Sequence, residues 1–120
     1  MKMTIEFAQD FAKEWISAFN AHDLERVLSH YTEDFTIKTP VAARLLNLED
    51  GVVSGKEQVR AYWKFALEKM PDLHFELLDI LVGMDGLTLY YLNTGTGKKT
   101  AEVMTFDKRG MVYQVAAYYC

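Results

Sequence analysis

The chain has 120 residues, half of them hydrophobic and 13% aromatic, which suits one compact domain with a substantial core and leaves no room for a second. Its 17 acidic against 13 basic side chains give a formal charge of -4, with Lys and Arg scattered, so neither nucleic acid nor an anionic membrane is an expected partner. The single cysteine, Cys120, excludes an intrachain disulfide and a cysteine-rich metal site; with no signal-like block in Met1 to Glu6 and no apolar stretch near the roughly 18 residues that span a bilayer, a soluble cytoplasmic protein is expected.

Phe7, Phe11, Trp15 and Phe19 recur every four residues, with Ala8, Ala12 and Ile16 beside them, and place an apolar stripe on one face of a helix from Thr4 to Asn20. Asp23 can cap a second helix, in which Leu24, Val27, Leu28 and Tyr31 keep helical spacing until Thr32, Glu33 and Asp34 break it. Phe35, Ile37 and Thr39 then alternate with Thr36 and Lys38 in a short half-buried strand stopped by Pro40. Residues 41 to 54 lack a clear period yet carry Val41, Leu45, Leu46, Leu48, Val52 and Val53, which is apolar for an exposed connection; a flap folded over something is expected.

Ser54 and Glu57 have capping-box spacing and open a third helix, whose Val59, Tyr62, Trp63, Ala66, Leu67 and Met70 share a face up to Pro71. From Leu73 the period changes to two. Turn signals at Asp85-Gly86, Thr94 to Gly97 and Asp107 to Gly110 divide the rest into four long strands of an antiparallel meander. Three helices must gather on one side of such a sheet, so residues 1–120 are expected to form a single α+β domain with the sheet curled around a helical layer.

This order of elements resembles the nuclear transport factor 2-like superfamily, and within it the SnoaL-like branch of small bacterial proteins. The residues that carry the resemblance are Trp15 to Asp23 (WISAFNAHD) with Leu24, Tyr31, Asp34 and Phe35; Thr39-Pro40; Gly55-Lys56 with Tyr62-Trp63; Pro71-Asp72-Leu73 and Phe75-Glu76; and Glu102 with Phe106-Asp107 and Gly110. The resemblance implies a cone-shaped fold, a pocket between the helices and the concave face of a curved antiparallel sheet, and a homodimer packed through the convex face. It does not imply one activity, because members include isomerases, polyketide cyclases, epoxide hydrolases, dehydratases, noncatalytic binders and transport factors.

Glu102 is the first candidate for chemistry. If Glu102, Met104 and Phe106 face inward together, an apolar setting would keep the carboxyl neutral and make it a hydrogen-bond donor or general acid. Ala101, Val103 and Thr105 make the opposite phase equally apolar, so an outward Glu102 paired with Lys99 has even weight. The resemblance to ketosteroid isomerases places Glu102 close to their oxyanion-hole aspartic acid, but Thr39 and Trp15 stand where those enzymes carry the aspartate base and the tyrosine donor. Threonine cannot accept a proton near neutrality, so that particular isomerization is not expected.

Trp15, Tyr31, Thr39, Tyr62, Trp63, Tyr91, Met104, Ala117 and Tyr119 are the expected lining of a pocket for a small hydrophobic molecule, although plain core packing accounts for any one ring as well. The pair His22-Asp23 reads as a helix cap rather than as a catalytic dyad. His30 and His74 lack metal-ligand spacing, and neither a metal nor a cofactor is expected. Arg44, the lone cation of the flap, would suit a carboxylate or enolate in the pocket or a solvated surface, and Asp79 suits the pocket rim. These residues fit a cofactor-free isomerase, cyclase or hydratase, with a noncatalytic small-molecule binder and a dimeric protein-interaction module as the alternatives.

Overall fold

The structure is a computed structural model that describes residues 1–120. Helix α1, Ile5–Asn20, begins where the Thr4 hydroxyl accepts from Phe7 N at 3.1 Å. Its inner face buries Ala8, Phe11, Ala12, Trp15, Ala18 and Phe19, and the alanines let the helix lie close to the strands beneath while the rings fill the space between. Asp23 caps the short helix α2, Leu24–Leu28, by accepting from Arg26 N.

The second helix is shorter than its periodicity predicts. Tyr31 opens strand β1, Tyr31–Lys38, and a register irregularity between Tyr31 and Thr36 leaves Glu33 and Asp34 exposed while Tyr31, Phe35 and Ile37 all face inward. That irregularity breaks the two-residue alternation and hides the first half of the strand. Residues 41 to 54 are not an irregular flap. They fold as helix α3, Pro40–Leu46, capped by Thr39 Oγ1 accepting from Val41 N, and as strand β2, Val52–Ser54, paired antiparallel with β1. Pro40 therefore starts a helix, where its missing N–H costs nothing, as well as ending a strand.

Helix α4, Lys56–Lys69, follows with Val59, Tyr62, Trp63 and Ala66 inward, but Gly55 is its N-cap and no side chain caps it. The expected Ser54–Glu57 capping box is absent because Ser54 is held in β2 and Glu57 is engaged by Arg60 at 2.7 Å. Strands β3 (Phe75–Val82), β4 (Gly86–Asn93), β5 (Lys98–Phe106) and β6 (Val112–Tyr119) form the antiparallel meander.

The architecture is thus α+β with four helices, not three, on a six-stranded sheet of order β2-β1-β6-β5-β4-β3. The sheet is not wholly antiparallel, since β1 runs parallel to β6. The long connection through the helices and the meander brings β6 beside β1, and a connection of that length is what a parallel pair requires.

The interior differs along its length. At one end Phe106 meets Phe7 and Phe11 edge to face, with centroids 5.5 and 5.1 Å apart, and side chains fill the space. Toward the other end Trp15, Phe19, Trp63, Phe75 and Tyr91 ring a space that they do not close.

Candidate functional site

On β5 the inward phase is Thr100, Glu102, Met104 and Phe106, which are 2%, 4%, 1% and 4% exposed, whereas Val103 between them is 39% exposed. The two phases are equally apolar in sequence, and helix packing on one face decides between them. Glu102 pairs across the sheet with Leu89 on β4 and Ala117 on β6, which puts Tyr91, two residues along β4, on its diagonal. The Tyr91 hydroxyl donates to Glu102 Oε1 at 2.8 Å. Oε2 has no hydrogen-bond partner in the protein, and no cation pairs with the carboxylate.

Burial pushes the Glu102 carboxyl up to about 7, against the smaller opposing effect of the Tyr91 hydrogen bond. The group is therefore poised between its two forms near neutrality. Burial first, and the Glu102 charge second, raise the Tyr91 phenol well above its usual value, so it stays a hydroxyl.

Glu102 forms part of the wall of a partly open hollow of about 200 Å³. Twelve of its twenty lining residues are hydrophobic, and the lining includes Trp15, Thr39, Tyr62, Trp63, Tyr91, Glu102 and Tyr119. Thr39 Oγ1 donates to the Tyr119 hydroxyl at 3.4 Å. Tyr119 leaves much of its ring in solvent, at 39% exposed, yet its hydroxyl points inward, and burial of that end pushes the phenol up to about 12. Tyr62 is raised further, again by burial first and then by Tyr119. The hydroxyls of Thr39, Tyr62 and Tyr119 thus gather at one wall as neutral donors or acceptors.

Three expected lining residues stand outside the hollow. Tyr31 is sealed beneath it, because its hydroxyl accepts from Trp15 Nε1 at 2.8 Å and its ring packs on Phe35 and Trp63. Met104 lies one inward position beyond Glu102 toward the filled end, and Ala117 is too short to reach past the glutamate opposite it. The lining instead includes Phe19, Phe75, Thr100 and Lys98, which were not among the expected residues. The two-residue period would have found Thr100 and Lys98, since both share the phase of Glu102.

Of the other candidates, all but Arg44 fall elsewhere. His22, at φ 56, joins its Nε2 to Leu73 O at 2.9 Å and ties the α1–α2 turn to the approach of β3, while Asp23 is spent on its cap. His30 lies between Glu14 and the Phe11 ring, outside the lining of the hollow, and no cluster of three metal-ligating side chains occurs. Asp79 is exposed beside a bulge in β3, with its carboxylate accepting from Ile80 N. Arg44 is at the mouth of the hollow. No helix is long and apolar enough to cross a membrane.

Helices gathered in the hollow of a strongly bent sheet define the cystatin-like or nuclear transport factor 2-like fold, to which solved proteins from Methylobium petroleophilum (TM-score 0.76) and Cytophaga hutchinsonii (TM-score 0.70) belong. More closely, the chain belongs to the SnoaL-like domain family, whose pattern matches residues 12–117. A SnoaL-like protein of unknown function from Burkholderia thailandensis is 40% identical, with a TM-score of 0.95 over 100% of this chain and 99% of its own. AclR from Streptomyces galilaeus, provisionally called a hydroxylase, is 19% identical with a TM-score of 0.73, over 98% of this chain and 91% of its own. A protein from Kribbella flavida, provisionally called a ketosteroid isomerase, is 14% identical with a TM-score of 0.73, over 96% of this chain and 78% of its own. At those two identities the likeness is one of fold. No curated protein matches the chain.

Proposed function

We propose that the chain is a cofactor-free SnoaL-like enzyme whose hollow takes a mainly apolar, carbonyl-bearing small molecule and whose Glu102 carries out acid-base chemistry on it. The observation that supports this is the setting of Glu102: buried, engaged by Tyr91 through one oxygen, and unengaged through the other at the wall of an aromatic hollow. A carboxyl that titrates near neutrality can take a proton from a carbon beside a carbonyl as the carboxylate. It can then return the same proton to another carbon, so nothing is consumed. Charge that develops on the carbonyl oxygen in between would be met by the hydroxyls of Thr39, Tyr62 and Tyr119. Isomerase, cyclase and hydratase chemistry all draw on this donor-acceptor set.

One observation favours the second reading, a noncatalytic binder: no other acid and no imidazole lines the hollow. The two are separated by incubating the protein with a panel of small cyclic enones and ketones in D2O and following exchange at carbon by NMR. Exchange that disappears in Glu102→Gln supports the enzyme. Ligands that bind without any exchange above the buffer rate support the binder.

The same reading includes a homodimer through the convex face, supported by Val103 and Tyr118, which stand on that face at 39% and 64% exposed. It also includes a cytoplasmic setting, supported by a lone exposed cysteine.

A further inference from the structure

Resting on the reading of the hollow as a small-molecule pocket, we infer that its ligand is an amphipathic anion, with an apolar cyclic body among the rings and a carboxylate held at the mouth by Arg44 and Lys98. The distribution of charge carries this. The protein as a whole is acidic, at -4, yet the charged residues that line the hollow are two cations, Arg44 and Lys98, and one acid, Glu102. The acid is at the inner wall, 4% exposed, and the cations are at the rim, where both residues are exposed.

Neither cation is used by the protein itself. The ion pairs of the fold engage Arg26, His30, Lys56, Arg60 and Arg109, and neither Arg44 nor Lys98 lies within bonding reach of a carboxylate. Arg44 stands in the last turn of α3, where a cation also suits the helix dipole. The dipole accounts for its place on the helix but not for its field in the hollow, where its charge acts on the hydroxyls of both Tyr62 and Tyr119. Lys98 begins β5 in the inward phase of Thr100 and Glu102.

Four residues of strand separate Lys98 from Glu102, on the order of 13 Å between their Cα atoms. A molecule that touches both ends therefore carries an apolar body between its acidic group and its carbonyl, and the aromatic lining suits a cyclic one. An acid bound the other way round would bring its charge against the Glu102 carboxyl, beside Tyr91 and Trp15 donors that are already engaged, and away from both cations. The polarity of the site thus directs the neutral, reacting end inward and the anionic end outward.

The test compares 2-naphthoate with neutral 2-naphthamide by calorimetry and by quenching of Trp15 and Trp63, in the wild-type protein and in Arg44→Gln and Lys98→Gln. Both variants alter exposed, unpaired side chains, and near-ultraviolet circular dichroism verifies their fold. In low salt the acid is expected to bind about ten-fold more tightly than the amide, as a charge-assisted pair requires, with the ratio falling as salt rises and in each variant. Equal binding of acid and amide, or a ratio that neither substitution changes, overturns the anionic ligand and leaves the pocket standing. Failure of both probes to bind or to quench overturns the pocket and this inference with it.

Discussion

Replacing Glu102 with Gln removes a titration while keeping the shape of the side chain and an oxygen for the Tyr91 hydroxyl. In the folded protein the carboxyl titrates at about 7 against an ordinary value of 4.5, because burial penalises the charged form. A folded-state value raised in this way means that the native chain holds the proton more tightly than the unfolded chain. Stability from this group is therefore complete below the ordinary value, falls as pH rises from 4.5 to about 7, and is level above. The full difference is about 3 kcal/mol. Urea denaturation of ligand-free wild type and Glu102→Gln is then expected to give similar stabilities near pH 4 and to diverge through the neutral range, with the variant the more stable by up to about 3 kcal/mol at alkaline pH. Glu14, held down to about 2 by Arg26, and Glu25 and Asp107, lowered by Arg60 and by the Met111 backbone N–H, change stability at lower pH in both proteins and cancel in the comparison. Two stability curves that stay parallel from acid to alkaline pH would refute the buried, unpaired carboxyl.

Tyr91→Phe removes the one hydrogen bond that lowers the Glu102 value, so the carboxyl is expected to titrate higher still, as a carboxyl 13C resonance followed against pH will show. Gly51 has φ +65, and an added Cβ would lie 2.8 Å from Thr39 O, so Gly51→Ala is expected to cost about 1–3 kcal/mol in thermal or urea unfolding; an unchanged midpoint would contradict the strained turn beside Thr39. Tyr118→Lys is expected to turn a dimer into a monomer in sedimentation at micromolar concentration, and a wild-type protein that sediments only as monomer removes the proposed convex interface.

Much of the fold was legible because it rests on local periodicity. The every-four spacing of Phe7, Phe11, Trp15 and Phe19 and the turns at Asp85-Gly86, Thr94 to Gly97 and Asp107 to Gly110 each express a choice made within a few residues. The structure departs from the local pattern where distant contacts overrule local preference. Tyr31 continues a helical spacing but is taken by β6 as a strand partner, and residues 41 to 54 carry no period because they split between a seven-residue helix and a three-residue strand.

The candidate site divides the same way. The residue types, an acid among rings with scattered hydroxyls, were present in the sequence, and so was the resemblance that the SnoaL-like family match bears out. Which of them meet was decided by the tertiary structure. Glu102 and Val103 sit on equally apolar phases of one strand, and only the helices covering one face of the sheet turn the first inward and leave the second in water. Likewise the Tyr31 hydroxyl accepts from Trp15 and is sealed beneath the hollow, while Trp15 itself lines the hollow with Phe19 and Phe75, because a buried polar group takes the partner that packing delivers.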